Sequence, residues 1–382
     1  MPSCLSVVDL FAGIGGFSLG FLRANKRTNF VFDVRLLVDI DPSAAFTFKK
    51  NLPRIPYLPA DLNKVHGNDL LALLKMKSGE LDFLIGGPPC QGFSASGKRW
   101  LKDNRNLLIN RFIEITHEVR PKCVLIENVP GALVAIPKLL NKEFGEALDG
   151  YHLNSSVLNA SEFGVPQIRK RAFIAAIRKD IGTNKFEFPK GAFDAIDNGN
   201  DLIGSGKPSK SFVSVEDAIG DLPPLKAGDK IDGAIYKNQA KTDFQRERRL
   251  GSLAIFNHVA RVHSKTFVDK ISTIKPGQGK LNLLDGERYS DRYFSQAYAR
   301  LHPQGISFTI TANFRNPGSG RFMHYRDNKS ITVREAARLQ SFDDSVIFHG
   351  YETDQERHVG NAVPPLLAEA LALHFGNIIA AA

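Results

Sequence analysis

The sequence predicts an α/β fold: a doubly wound, parallel sheet with helices on both faces, joined to a smaller, irregular domain. Three observations predict it. Short apolar runs alternate with helical patterns through the first half of the chain, the pattern of parallel strands linked by helical crossovers. The first apolar run ends in a glycine-rich turn that opens a helix, DLFAGIGGF at residues 9–17. After about residue 185 the chain becomes rich in Gly, Pro, Lys and Asp with few long periodic segments, which reads as a separate, irregular domain.

The elements follow in order. Residues 5–10 are a buried strand and 15–25 a short helix. Residues 34–41 are a second strand, and 41–52 a helix with Asp41 as cap and Pro42 at its first position. Residues 81–89 form another strand. Residues 105–120 are helical, with Leu108, Phe112, Ile115 and Val119 at helical spacing. Residues 121–129 are a strand, 133–150 a helix and 171–179 a later strand. Order returns with a helix at 332–342, and an amphipathic helix closes the chain from 364 to 379 with proline at its start. A chain of 382 residues exceeds what one core usually serves. The divisions expected are a catalytic sheet domain at 1–185, the irregular domain at 186–331, and a segment at 332–382 that returns to the first domain.

Composition narrows the class. Apolar residues make up 43% and charged residues 24%, as in ordinary globular proteins. A formal net charge of +10 favours a polyanionic partner such as nucleic acid. Three cysteines, Cys4, Cys90 and Cys123, are too few for a disulfide framework or a paired-cysteine zinc site; no metal is expected. The N-terminus lacks a basic region before an apolar run, and no apolar run is long enough to span a membrane. The expected location is the cytoplasm, without a membrane partner.

Five motifs carry chemistry. The glycine turn at 9–17 can aim backbone N–H groups at an anionic ligand, and Asp39 in VDID stands where an acid grips ribose hydroxyls. In GGPPCQGFSASGKRW (86–100), two prolines stiffen the chain past a strand end and present Cys90 at a loop mouth. Lys98 and Arg99 there would favour the thiolate, the nucleophilic form. Cys123, inside an apolar strand, reads as a small core residue. Glu127 in ENVPG ends a strand, where partial desolvation would raise its pKa and suit it to general-acid work. In QIRKRAF (167–173), a strand would put Gln167, Arg169 and Arg171 on one face, two guanidiniums able to hold a carboxylate or phosphate. GNAVPP (360–365) is a loop leading into the last helix.

Together and in this order, these motifs resemble those of the C5-cytosine DNA methyltransferases, along with REAARLQSF (334–342), from residue 8 to about 375 outside a variable stretch at 186–300. The resemblance implies a Rossmann-like S-adenosylmethionine-dependent methyltransferase fold and a target-recognition domain in the irregular part. It implies that Cys90 adds to C6 of a flipped-out cytosine, Glu127 contacts N3 and the exocyclic amine, and Arg169 and Arg171 support the cysteine, base and phosphate. It assigns the cofactor S-adenosylmethionine, leaving as S-adenosylhomocysteine, to Phe11, Gly13, Gly15, Gly16, Asp39, Ile40, Asp61, Leu62, Pro88, Asn361 and Val363. Ile40 holds a position that is often aromatic. Gln91, Ser94, Lys98, Arg99 and Thr309 are implied to meet DNA and the base. The implied partner is double-stranded DNA, in a monomeric bacterial or phage modification enzyme working beside a separate restriction endonuclease. A tRNA methyltransferase of the same chemistry typically carries Cys-Phe-Thr where this chain has Ser307-Phe308-Thr309. A non-catalytic nucleic-acid-binding relative would be expected to lack Cys90, Glu127 or the arginines. A nicotinamide-dependent oxidoreductase would leave the Pro-Pro-Cys loop unexplained.

Overall fold

Seven strands, β1 (Cys4–Leu10), β2 (Val31–Asp39), β3 (Tyr57–Pro59), β4 (Phe83–Gly86), β5 (Cys123–Asn128), β6 (Tyr151–Asn159) and β7 (Lys170–Arg178), pair in one sheet in the order β3-β2-β1-β4-β5-β7-β6. They belong to a computed structural model that describes residues 3–89, 106–133, 148–182, 185–193, 212–279 and 296–382. β1 to β5 run parallel. The parallel expectation fails at the far edge, where β7 lies antiparallel between β5 and β6. No crossover helix separates β6 from β7; residues 160–169 connect them, and a parallel return needs a crossover.

The strands form where apolar residues are continuous. β4 is buried throughout, and β1 is buried after its first residue, as expected of strands covered on both faces. On one face, α3 (Gly67–Leu74) and α4 (Asn106–Val119) place Leu70, Leu71, Phe112 and Ile115 against Val8, Leu36, Leu84 and Val124. On the other, α1 (Gly16–Ala24) sets Phe21 edge-on to Phe32 and Phe83. α2 (Pro42–Asn51) starts as expected, with the Asp41 side chain accepting from Ser43 N and Pro42 in the first turn. β3, α3 and β6 were not expected. Most of the predicted 133–150 helix lies outside the described residues.

The chain divides into two compact units, one of residues 1–159, 170–190 and 363–382, the other of 160–169 and 191–362. The returning segment is therefore shorter than 332–382. Residues 332–362 group with the second unit, because Arg334 and Arg338 are buried there against Asp344 and Asp221. That unit holds short helices, among them Val215–Ile219, Asp243–Arg249, Lys265–Ser272, Val333–Leu339 and Glu352–Asn361, and two strand pairs of two residues each. Thr332 and Glu335 form a reciprocal capping box on Val333–Leu339. Lys329 Nζ donates to both Glu335 carboxylate oxygens at 2.8 Å, and it heads the charges that hold this buried acid well below the usual range.

The helical stretch 352–380 is long and apolar enough to cross a membrane by length and composition, but 67% of its apolar window is buried inside the fold. Its last part, the helix Pro365–Ala380, packs on α1 at very short range. A Cβ on Gly20 would stand 2.3 Å from Ala368 Cβ and 2.6 Å from Glu369 N. Beside that crossing, Arg23 Nε donates to buried Glu369 at 3.0 Å. Gly20→Ala should cost about 1–3 kcal/mol through overpacking against backbone that has little room to shift. A urea titration checks this; an unchanged midpoint would rule out the close crossing.

Candidate active site

In the first unit, β1, β2, β3, β4 and β5 deliver their carboxyl ends to one edge of the sheet. Chain order reverses there, from β1 outward to β2 and β3, then across to β4 and β5. Open α/β sheets bind ligands at such a switch point. The sequence-predicted residues of this unit fall on that edge: Phe11, Gly13, Gly15 and Gly16 after β1, Asp39 and Ile40 at the end of β2, Asp61 and Leu62 after β3, Pro88 after β4, and Glu127 in β5.

The glycine turn has a definite shape. Phe11, Gly13 and Gly15 have φ of 57°, 52° and 78°. Gly15 cannot be replaced cheaply, since a Cβ there would lie 2.6 Å from the Phe48 ring, whereas a Cβ on Gly13 would meet nothing within 4 Å among the described residues. Asp39 sets the turn: Oδ2 accepts from Gly13 N at 2.8 Å and Oδ1 from Asp41 N at 2.9 Å. Burial pushes its carboxyl above the usual value despite these donors. The Tyr57 hydroxyl donates to Gly13 O at 2.7 Å. Ile40 is 66% exposed beside Asp39. Leu62 is buried, and Asp61 caps its own short turn by accepting from Asn63 N at 3.0 Å.

Glu127 Oε1 lies 3.0 Å from Arg171 Nε. Its other oxygen stands over the backbone of Gly87, where a Cβ would come within 3.3 Å. Asn128, buried next door, donates to Pro88 O at 3.1 Å and ties the proline loop to β5. Cys90, Gln91, Ser94, Lys98 and Arg99 lie outside the described residues. Cys123 is buried in β5, and burial pushes its thiol far up, as a core cysteine should behave.

In the second unit, Arg169 is 2% exposed. Its guanidinium donates to Ile310 O at 3.0 Å, Gly360 O at 3.0 Å and Ala362 O at 3.1 Å. The last two carbonyls flank Asn361, which is exposed. Gln167 accepts from Ile310 N at 2.8 Å and donates to Gln340 Oε1 at 2.9 Å. Thr309 Oγ1 donates to Ile168 O at 2.8 Å. The expected single strand face of Gln167, Arg169 and Arg171 is not formed: β7 begins at Lys170, and Gln167 bridges instead to Ser307. Pro166 precedes this stretch and supplies only its carbonyl, which accepts from Ser307 N and Oγ. Gly360 and Asn361 are the end of the helix Glu352–Asn361, a helix that GNAVPP alone did not disclose. Val363, by contrast, is buried and belongs to the first unit.

Sequence reasoning missed Asp9, Tyr57, Asn128 and the positioning part of Gln167. An acid closing the apolar run at β1 was the available signal for Asp9, and the amide beside Glu127 was the signal for Asn128. Nothing local marks Tyr57, which sits in a three-residue strand.

Comparison with known proteins bears on the family and the fold of the chain. The family model described as C-5 cytosine-specific DNA methylase matches residues 5–377. The chain is 34% identical to the Type II methyltransferase M.DdeI of Desulfomicrobium norvegicum over 96% of this chain and 88% of the relative. It is also 34% identical to the Type II methyltransferase M1.HphI of Haemophilus parahaemolyticus, over 96% and 86%. Among solved structures, it resembles an E. coli protein described as a DNA modification methyltransferase encoded within a prophage. The TM-score is 0.75 and the identity 28%, covering 98% of this chain and 99% of that one.

Asp9 lies beneath the glycine turn, 1% exposed, and accepts from Ser18 Oγ at 2.6 Å and Ser18 N at 3.3 Å. Burial first, and the Asp39 charge last, push its carboxyl up to about 7, against the lowering by Ser18. The folded state therefore keeps a proton that the unfolded chain gives up near pH 4. Asp9's own contribution to stability is most favourable below that pH, falls as pH rises to 7, and then levels, for a change on the order of 4 kcal/mol. Asp9→Asn should flatten the fall between pH 4 and 7. Melting temperatures across that range check it, and equal slopes in both proteins would overturn the assignment.

Proposed function

The chain belongs to the C-5 cytosine-specific DNA methylase family and is a DNA cytosine-5 methyltransferase, and from that premise we propose which of its residues carry each step. The observation that carries the reading is the row of Gly13, Asp39, Asp61, Pro88 and Glu127 along one sheet edge.

The residues present fit S-adenosylmethionine. The space beside Gly13, the N–H groups at the start of α1 and the Asp39 carboxylate suit a nucleoside bearing an amino-acid tail. The exposed Ile40 side chain suits the base, and Phe11, Gly15, Gly16, Asp61, Leu62, Pro88, Asn361 and Val363 complete the proposed binding set. When bound, S-adenosylmethionine supplies an electrophilic methyl group.

Cytosine C5 is a poor nucleophile. Cys90, as thiolate, adds to C6 and makes C5 electron-rich. Glu127 meets N3 and the exocyclic amine and offsets the charge that develops in the ring. Arg171, 3.0 Å from Glu127, orients that carboxyl. Arg169 acts through the backbone it holds at Ile310, Gly360 and Ala362. After C5 has taken the methyl group, loss of its proton restores the ring and expels Cys90. A base stacked in a duplex is out of reach of this chemistry, so the cytosine is flipped out, with Gln91, Ser94, Lys98, Arg99 and Thr309 on the DNA. The remaining proposals are cytoplasmic location, work as a monomer without a metal, and a separate cognate endonuclease in a restriction–modification system.

Bisulfite sequencing of plasmid from cells expressing this protein should give methylated cytosines in one short motif, and none from cells expressing Cys90→Ala. Modification retained by the variant would remove the nucleophile assignment. Asp39→Ala should weaken S-adenosylmethionine binding at least ~10-fold while DNA affinity holds, as expected when a charged hydrogen bond is lost. Calorimetry decides, and a parallel loss of both affinities would remove the ribose role.

A further inference from the structure

Between the end of α3 and the loop that enters β3, the first unit holds a cavity of about 450 Å³, a size usual for small-molecule sites. Leu36, Ile55, Pro56 and Leu74 give it apolar walls, and Asp33, Arg35 and Arg54 supply its charges. None of these residues has a part in the reaction proposed above.

The sheet makes room for the cavity in two ways. β3 joins β2 only from Leu37 onward, where Leu37 pairs with Tyr57 and its N donates to Pro56 O at 3.1 Å. Among the described strands, the earlier part of β2 has no neighbour on that side. On the other side, the ladder with β1 skips a residue. Val34 pairs with Val7 and Leu36 with Val8, which leaves Arg35 as a bulge. A bulge re-aims the side chain it carries.

The arginines have donors to spare. Arg35 Nε lies 3.5 Å from Asp33 Oδ2, and Arg35 Nη2 donates to Leu74 O at 3.4 Å. Both contacts are long, and Nη1 hydrogen-bonds to no described residue. Arg54 is exposed and has no ionic partner among the described residues. Two guanidiniums against one carboxylate leave the cavity positive. A guanidinium fork suits a carboxylate or a phosphate, and apolar walls beside it suit an apolar body. The walls favour a small ligand over a duplex phosphate, which would meet only the charges at the rim.

We propose that this cavity binds a small organic anion, an apolar body carrying a carboxylate or a phosphate group, with Arg35 and Arg54 holding the anionic end.

The test uses saturation-transfer NMR and calorimetry on the full chain, with S-adenosylhomocysteine in excess to occupy the cofactor edge. The probes are benzoate, phenyl phosphate, neutral benzyl alcohol and inorganic phosphate. Benzoate or phenyl phosphate should bind, and the tighter of the two identifies the anionic group. Arg54→Glu should weaken that probe at least ~10-fold, and Arg35→Gln should weaken it too. Benzyl alcohol and inorganic phosphate should each bind at least ~10-fold more weakly than the tighter organic anion. Arg54→Glu should keep the wild-type melting temperature and S-adenosylhomocysteine affinity, so it decides the matter if Arg35→Gln folds poorly. No binding of either organic anion, or undiminished binding to Arg54→Glu, would overturn the proposal. Equal binding of benzyl alcohol would overturn the need for an anion, and equal binding of inorganic phosphate would overturn the part given to the apolar walls. These readouts involve no methyl transfer.

Discussion

Two backbone N–H groups, from Gly13 and Asp41, end on the Asp39 carboxylate, and the turn after β1 has its shape because of them. Gly13 and Gly15 take backbone angles that side chains resist, so the turn needs outside partners. Asp39 supplies one from β2, and Tyr57 another from β3. Three neighbouring strand ends are thereby fixed to one another before any ligand arrives. The constraint is topological as well as chemical, since only parallel strands bring the ends of β1, β2 and β3 out on the same edge.

The second unit solves a comparable problem with charge. Arg169 is buried with its N–H groups spread over three carbonyls, and an unpaired guanidinium there would be costly. Removing it would leave three backbone acceptors without this partner as well as a gap. Around the helix Val333–Leu339, Arg334, Arg338, Glu335 and Lys329 are likewise buried with ionic partners. Apolar residues are joined here by a scaffold of charges that depend on one another, most of them within residues 329–344 and one, Arg338 with Asp221, from a distant segment.

Much of this was legible in the sequence. β1, β4 and β5 are mostly apolar, with polar residues only at Ser6 and Asp9 in β1 and at Glu127 and Asn128 where β5 ends, and Asp41-Pro42 announces α2. β3 was not legible: three residues ending in proline carry no period. β6 alternates exposed and half-buried positions at the edge of the sheet, and its mixed polar side chains mask the pattern. Asp39, Pro88 and Glu127 lie at the strand ends where the sequence put them, because a strand end is a local property. Arg169 was misread for the opposite reason. Its partners lie far along the chain, and a period-two argument sees only neighbours. Asn128 and Asp9 went unnoticed because a satisfied buried polar group looks, in sequence, like any strand-end polar residue.

The helix Pro365–Ala380 belongs to the first unit, yet ribosomes make it after the whole of the second. Until then the α1 face around Gly20 lacks its cover, and Arg23 lacks Glu369. An early-made sheet must therefore wait, with apolar surface uncovered, while an unrelated unit is synthesised. During synthesis the order of the chain, rather than the strength of any one contact, sets when the first unit becomes complete.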